Sequence, residues 1–375
     1  MKSLITRYDK IRYKTDKLKL LDRHYDEQTL IQRYQAMFSD HLASSTLLCK
    51  EILPELTEMV ESVVAFIVPE YTVNAFVMNI PEIQAFSFSG TKKSLILGIS
   101  APLIELLSIE ELKFVVGHEI GHYIFSHHLY PQAKDAVSEI ERLNILALNR
   151  ASEITSDRVG FVSGCSQDDA YRAIIKISTG LSDRHLRFDF NAFVKQSRAV
   201  AELGGSVQNM LRTHPSCSLR LKALLWFSMS KSYYSFLNRD QFASRMSLEQ
   251  VDRKIDLEIQ ASNGFMLQKM NKDEQNSSVQ MGALSIFAND DRLTKQEQAV
   301  LRECFGEDVA KNLTFMLQTD GKDDIYNRFL KSVSNLKYVS IEDRKYVFEK
   351  LEYFSSISSD NSDELLNKAK TLLAL

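Results

Sequence analysis

The chain has 375 residues, of which 44% are hydrophobic and 25% charged, with only 13 Gly and 6 Pro. That composition excludes a disordered or collagen-like chain and favours helix, and the length calls for more than one core. A net charge of −3 leaves no basic excess to neutralise phosphates, so nucleic acid is not an expected partner. The basic stretch from Lys10 to Lys19 contains Asp16 and reads as one face of an amphipathic helix. The four cysteines, Cys49, Cys165, Cys217 and Cys304, include no CxxC pair, and reduced thiols in a cytoplasmic protein fit them best. The N-terminus lacks the apolar core of a secretory signal. The longest apolar stretch, Leu95 to Leu107, is interrupted by Pro102 and Glu105 and is too short for a bilayer span of ~20 residues.

In chain order, residues 1 to about 68 read as helices, with apolar residues at helical spacing over Tyr25 to Phe38 and Leu47 to Phe66. From Tyr71 the runs YTVNAFVMN, QAFSFSG and KKSLILGIS predict a small sheet of about three strands, separated by Pro81 and Gly90. Ser108 and Glu111 form the two ends of a capping box. The helix they open runs through His118 and His122 to about Ser126. Further helices are predicted over about Ala133 to Ala147 and Asn149 to Val162, with Gly164 as the stop. After Leu203-Gly204-Gly205, a loop near Arg212 to Ser216 leads into the apolar helix Leu219 to Met229. From Ser232 the chain is helical and more polar, and Asn276-Ser277-Ser278 reads as a linker.

The chemistry concentrates in His118-Glu119-Ile120-Gly121-His122. Positions i and i+4 share a helix face, so His118 and His122 can ligate one metal. Glu119, ~100° round the helix, can reach a water beside that metal, where a general base for hydrolysis belongs. Phe114, Val115 and Val116 before the motif and Tyr123-Ile124-Phe125 after it predict a buried helix. Gly117 and Gly121 cost ~1 kcal/mol each relative to Ala in a helix and suggest close approach by another element. Zinc needs a third protein ligand. Glu153 and Asp157, again i and i+4, supply it: Glu153 would complete a two-His, one-Glu site, and Asp157 one turn on would hydrogen-bond a ligand histidine from behind.

These segments resemble the M48 metallopeptidases, the gluzincin family that includes the HtpX-type proteases. GHEIGHYIFSHH, ASEITSDRVG and THPSCSLRLKAL match the family's HExxH, its ExxxD with a following glycine (Gly160), and its His-Pro pair with an arginine five residues past the proline. The resemblance covers roughly Tyr71 to Phe227. It implies an α+β, mostly helical fold: a zincin-like metallopeptidase core with a small β-sheet and an active-site helix, flanked by helical N- and C-terminal regions. The expected domains are 1–70, 71–231 and 232–375. It implies Zn2+ bound by His118, His122 and Glu153, with Glu119 as catalytic base and acid, His214 beside the metal, and Asp157 and Arg220 in support. His214 would stabilise the oxyanion or serve as a reversible extra ligand. His127 matches a family position just past the motif with a structural role, and His128 has none.

Gln84-Ala85-Phe86 stands where many members have Asn-Ala-Phe leading into an edge strand that can pair with an extended peptide. Ser156 replaces a commoner alanine, a change harmless on size. Unlike many members the chain shows no membrane segment. ALSIFANDDRLTKQEQAVL resembles TerB-like helical domains from about 279, although Asp291 stands where glycine is usual; Asn289, Asp290 and Asp291 read as a helix-capping turn. The implied activity is zinc-dependent endopeptidase hydrolysis of a protein or peptide substrate. The alternatives are a protease held silent until a signal or a regulatory partner acts through the C-terminal helices, and a scaffold that keeps the fold without the chemistry.

Overall fold

The computed structural model describes residues 6–16, 45–89, 94–200, 214–239, 246–259, 265–287, 293–358 and 362–375. The expected helix over Tyr25 to Phe38, the turn at Leu203 to Gly205 and the acidic turn at Asn289 to Asp291 lie outside these residues. The chain forms two compact units. One comprises Met1–Pro131 with Leu146–Asn263, the other Gln132–Ile145 with Gly264–Leu375. The fold is α+β and mostly helical, as the sequence predicts.

In the first unit, β1 (Thr46–Leu47) precedes α1 (Pro54–Ile67), which opens with proline in its first turn. Leu56, Met59, Val60, Val63, Val64 and Ile67 recur at three- and four-residue steps and form the buried face of α1, the stripe expected of a helix laid on a core. Then come β2 (Thr72–Met78), β3 (Ala85–Ser89) and β4 (Ser94–Ser100). Among the described residues the sheet has four strands rather than three, in the order β1-β2-β4-β3. The extra strand, Thr46–Leu47, is too short to leave a period-2 signal. It exists because it pairs antiparallel with β2, Thr46 opposite Val77. Strand β2 runs parallel to β4 and β3 antiparallel to it, Phe86 facing Gly98. Leu95, Leu97 and Ile99 on β4 are fully buried, as suits a central strand.

Helix α2 (Ala101–Leu106) turns the chain into α3 (Ile109–Ile124). The capping box is present: the Ser108 hydroxyl accepts from the Glu111 amide at 3.3 Å, and the Glu111 carboxylate accepts from the Ser108 amide at 2.8 Å. Glu111 is also held by buried Lys176, whose Nζ donates to it at 2.9 Å. The next helix differs from expectation. Ala133–Asp135 is a single 3-10 turn, and one continuous helix, α4 (Glu139–Val162), replaces the two predicted. Asn149 carries weak helix propensity but no glycine or proline stands between 139 and 159, so nothing breaks the hydrogen-bond ladder. Gly164 has φ +104°, the stop the sequence suggests. Helices α5 (Gln167–Thr179), α6 (Phe190–Val200), α7 (Cys217–Ser228), α8 (Lys231–Phe236) and α9 (Leu248–Ile259) follow among the described residues of this unit.

The second unit is helical: α10 (Phe265–Phe287), α11 (Lys295–Phe305), α12 (Glu307–Asn335), α13 (Ile341–Ile357) and α14 (Asp363–Leu373). Leu284, Phe287, Leu301, Phe329, Leu351 and Phe354 lie in its core. The linker expected at Asn276 to Ser278 is instead the middle of α10. Ser278 is fully buried and its hydroxyl donates to Ser332 Oγ at 3.1 Å. Small polar residues at a helix–helix contact have the composition of a linker, and only the partner helix tells them apart. No described helix is long and apolar enough to cross a membrane.

Candidate metal centre

Helices α3 and α4 meet through glycine. A Cβ added at Gly160 would lie 2.5 Å from the Phe114 carbonyl oxygen, and one at Gly117 would lie 2.9 Å from the Gly160 Cα. A Cβ at Gly121 would lie 3.0 Å from the Ser156 Cα. The glycines that look costly in sequence are therefore the contact line of a backbone-close helix pair, the close approach that the sequence suggests. Because α4 lies this near, its Glu153 and Asp157 reach the histidines of α3.

His118, His122 and Glu153 each offer a ligand atom, and these atoms lie within 4.8 Å of one another. The two histidine Nε2 atoms are 3.1 Å apart, and Glu153 lies 3.5 Å from His118 Nε2 and 3.3 Å from His122 Nε2. Ligands 2.0–2.2 Å from a tetrahedral zinc are about 3.4 Å apart, so the donor set and its spacing fit that ion. His214 Nε2 lies 3.4 Å from Glu153 Oε1. It is the exposed member, with 65% of its side chain accessible, whereas Glu153 and His118 are buried.

The far side of each ring is also engaged. His118 Nδ1 lies 2.9 Å from Asp157 Oδ1. Arg220 grips the same carboxylate from α7, with Nε donating at 2.8 Å and a terminal nitrogen at 2.5 Å. Burial raises the Asp157 carboxyl pKa, but the Arg220 guanidinium and His118 more than offset this and leave it below the usual range. Burial also raises Glu153, and His122 and His118 pull it well below the carboxylate range, so it is ionised and available as a ligand. Glu119 goes the other way. Burial, with Glu153 adding to it, holds its carboxyl above the ordinary value against the pull of His122 and His118. A carboxylate of raised pKa is a better proton acceptor.

The structure thus brings together every residue singled out from the sequence: His118, Glu119, His122, Glu153, Asp157, His214 and Arg220. It adds the partners of His127, which sequence reading missed. His127 Nδ1 lies 2.9 Å from His122 Nδ1, and His127 Nε2 lies 3.0 Å from Asp16 Oδ2. Asp16 also accepts from the Tyr130 hydroxyl at 2.6 Å and from Arg12 Nε at 3.2 Å. His127 comes back beneath α3 because Ser126 takes the left-handed conformation, φ 54° and ψ 40°, which turns the chain sharply after the helix. The 10–19 stretch is not an amphipathic helix where it is described. Residues 9–12 are turn and bend, Lys14–Asp16 is a 3-10 turn, and Asp16 is fully buried. Its one sequence signal is an acid set in a basic run. Ser156, a change from alanine that reads as harmless on size, places its hydroxyl 3.3 Å from His127 Nδ1.

A helix carrying HExxH, faced by an ExxxD helix and flanked by a small mixed sheet, defines the zincin-like metallopeptidases. Residues 53–148 and 135–226 match the family model described as Peptidase family M48. The chain is 23% identical over 227 residues to the plastoglobule-localized metallopeptidase 48, chloroplastic, of Arabidopsis thaliana. That match covers 55% of this chain and 66% of the relative, just under two thirds of its length. No solved structure matches the chain.

Proposed function

We propose that the protein is a zinc-dependent endopeptidase, and the observation that carries the reading is the His118, His122 and Glu153 triangle with Glu119 on the same helix. His118 Nε2, His122 Nε2 and a Glu153 oxygen would hold the ion. When bound, zinc supplies a Lewis acid that polarises the peptide carbonyl and acidifies water. Glu119 takes the proton from the attacking water and hands it to the leaving amine. His214, at the exposed rim beside Glu153, is placed to donate to the developing oxyanion. Asp157, locked by Arg220, keeps His118 in the tautomer that leaves Nε2 free.

The substrate chain is positioned by β3. Among the described residues β3 pairs only with β4, so its other edge can take an extended peptide. The Ser87 hydroxyl donates to the Glu119 carbonyl at 2.5 Å, tying this edge strand to the helix that bears the base. The test uses purified wild type, Glu119→Gln and Glu153→Ala, with zinc content measured beside cleavage of unfolded casein. Wild type should hold about one zinc per chain and cleave. Glu119→Gln should keep zinc and lose turnover, and Glu153→Ala should lose both. Cleavage by Glu119→Gln at the wild-type rate would refute the role of Glu119.

A further inference from the structure

His122 meets the metal site with Nε2 and His127 with Nδ1. Two facing ring nitrogens 2.9 Å apart can share only one proton. Which ring carries it decides whether His122 Nε2 has a lone pair for the metal. The answer is set at the far end of the chain of bonds. Asp16 is a carboxylate, ionised because Arg12, Tyr130 and His127 all donate to it, and it can only accept. His127 must therefore carry its proton on Nε2, facing Asp16. A neutral His127 then has a bare Nδ1, which accepts from His122 Nδ1–H. That leaves His122 Nε2 unprotonated toward Glu153 and His118. The Ser156 hydroxyl, 3.3 Å from His127 Nδ1, donates to the same bare nitrogen.

We propose that Asp16 is a positioning residue of the metal site, fixing the tautomer of His122 through His127. This rests on the zinc-site reading above and extends it to a segment more than a hundred residues away in sequence. The segment is held there by bonds that do not involve the Asp16 side chain. Arg158 donates to the Ile11 carbonyl at 3.1 Å, and the Tyr13 amide donates to Thr155 Oγ1 at 3.2 Å. The Lys14 amide donates to Asp252 at 3.0 Å, and Lys14 Nζ pairs with Asp256 at 2.6 Å. Residues 11–16 are thus a strap fastened to α4 and α9, with Asp16 presented at its end.

Asp16→Asn tests this directly. An asparagine can turn its amide nitrogen toward His127 and donate, which inverts the relay: His127 Nδ1 gains the proton and His122 Nε2 is protonated against the metal. Zinc affinity, measured by chelator competition, should fall about 10- to 100-fold, while the thermal midpoint of the chelator-treated protein shows whether the variant is folded. A histidine nitrogen NMR spectrum of zinc-loaded wild type reads the tautomer without any variant, and should place the His127 proton on Nε2. Wild-type affinity in a folded Asp16→Asn, or a His127 proton on Nδ1 in the wild type, would overturn the proposal. Failure of the wild type to bind zinc at all would instead remove the reading on which it rests.

Discussion

The close pairing of α3 and α4 can be tested at Gly160. The Cβ of Gly160→Ala would sit 2.5 Å from the Phe114 carbonyl oxygen and 3.1 Å from the His118 amide nitrogen. An ordinary carbon–oxygen contact is about 3.3 Å or more, so the helices must separate locally by roughly 0.8 Å. Both neighbours are backbone atoms of α3, and no side-chain rotation relieves them. Overpacking of this kind costs about 1–3 kcal/mol, against about 1 kcal/mol gained by replacing glycine inside a helix. The net expectation is a loss of up to about 2 kcal/mol, a fall in thermal midpoint of up to about 8 °C for a unit of this size. Metal affinity should suffer more than stability does. Asp157 lies one turn from Gly160 and Glu153 two, so the displacement is passed to the 2.9 Å bond of Asp157 with His118 and to the 3.3–3.5 Å spacing of Glu153 from the histidines. Zinc affinity should drop at least about tenfold. The assay is thermal unfolding with and without chelator, beside a competition titration. An unchanged or higher midpoint together with wild-type zinc affinity would show that the glycine contact does not set the site.

Two further outcomes follow from the electrostatics. Arg220→Met leaves the Asp157 carboxylate, 1% exposed, with His118 as its remaining side-chain partner, and unfolding free energy should fall by about 3–5 kcal/mol; Arg220→Lys should recover only part, because an ammonium cannot give the two parallel bonds, and denaturant titration without a loss in the Met variant would contradict this. His128 is lowered to about 4 by burial and by neighbouring His127 and His122, so between about pH 6.5 and 4 the unfolded chain binds the extra proton and stability falls with falling pH. The loss is at most about 3 kcal/mol. His128→Gln should flatten that part of the stability curve, and parallel acid loss in both proteins would refute the assignment.

The parts of the site that are legible in sequence are those whose geometry is local. The i, i+4 spacing of His118 and His122, the same spacing of Glu153 and Asp157, and the Ser108–Glu111 capping box are properties of one helix at a time. Gly117 and Gly121 announced that something would come close, because glycine inside a helix is otherwise a cost. The misread elements are those decided by a partner. Thr46–Leu47 is a strand only because β2 is beside it, and Asn276 to Ser278 lies inside a helix whose Ser278 is buried against Ser332.

By itself, the sequence placed His118 and His122 on one helix face, Glu119 at the next position of that helix, and Glu153 and Asp157 one turn apart on a second helix. The tertiary structure alone decided that Asp16 stands behind His127; His214 and Arg220, which the family resemblance already put at the site, arrive there from a distant loop and helix. Helical periodicity constrains neighbours within a turn or two, whereas a hydrogen bond between residues 16 and 127 leaves no trace in either segment. Only the folded chain brings the two within 3.0 Å.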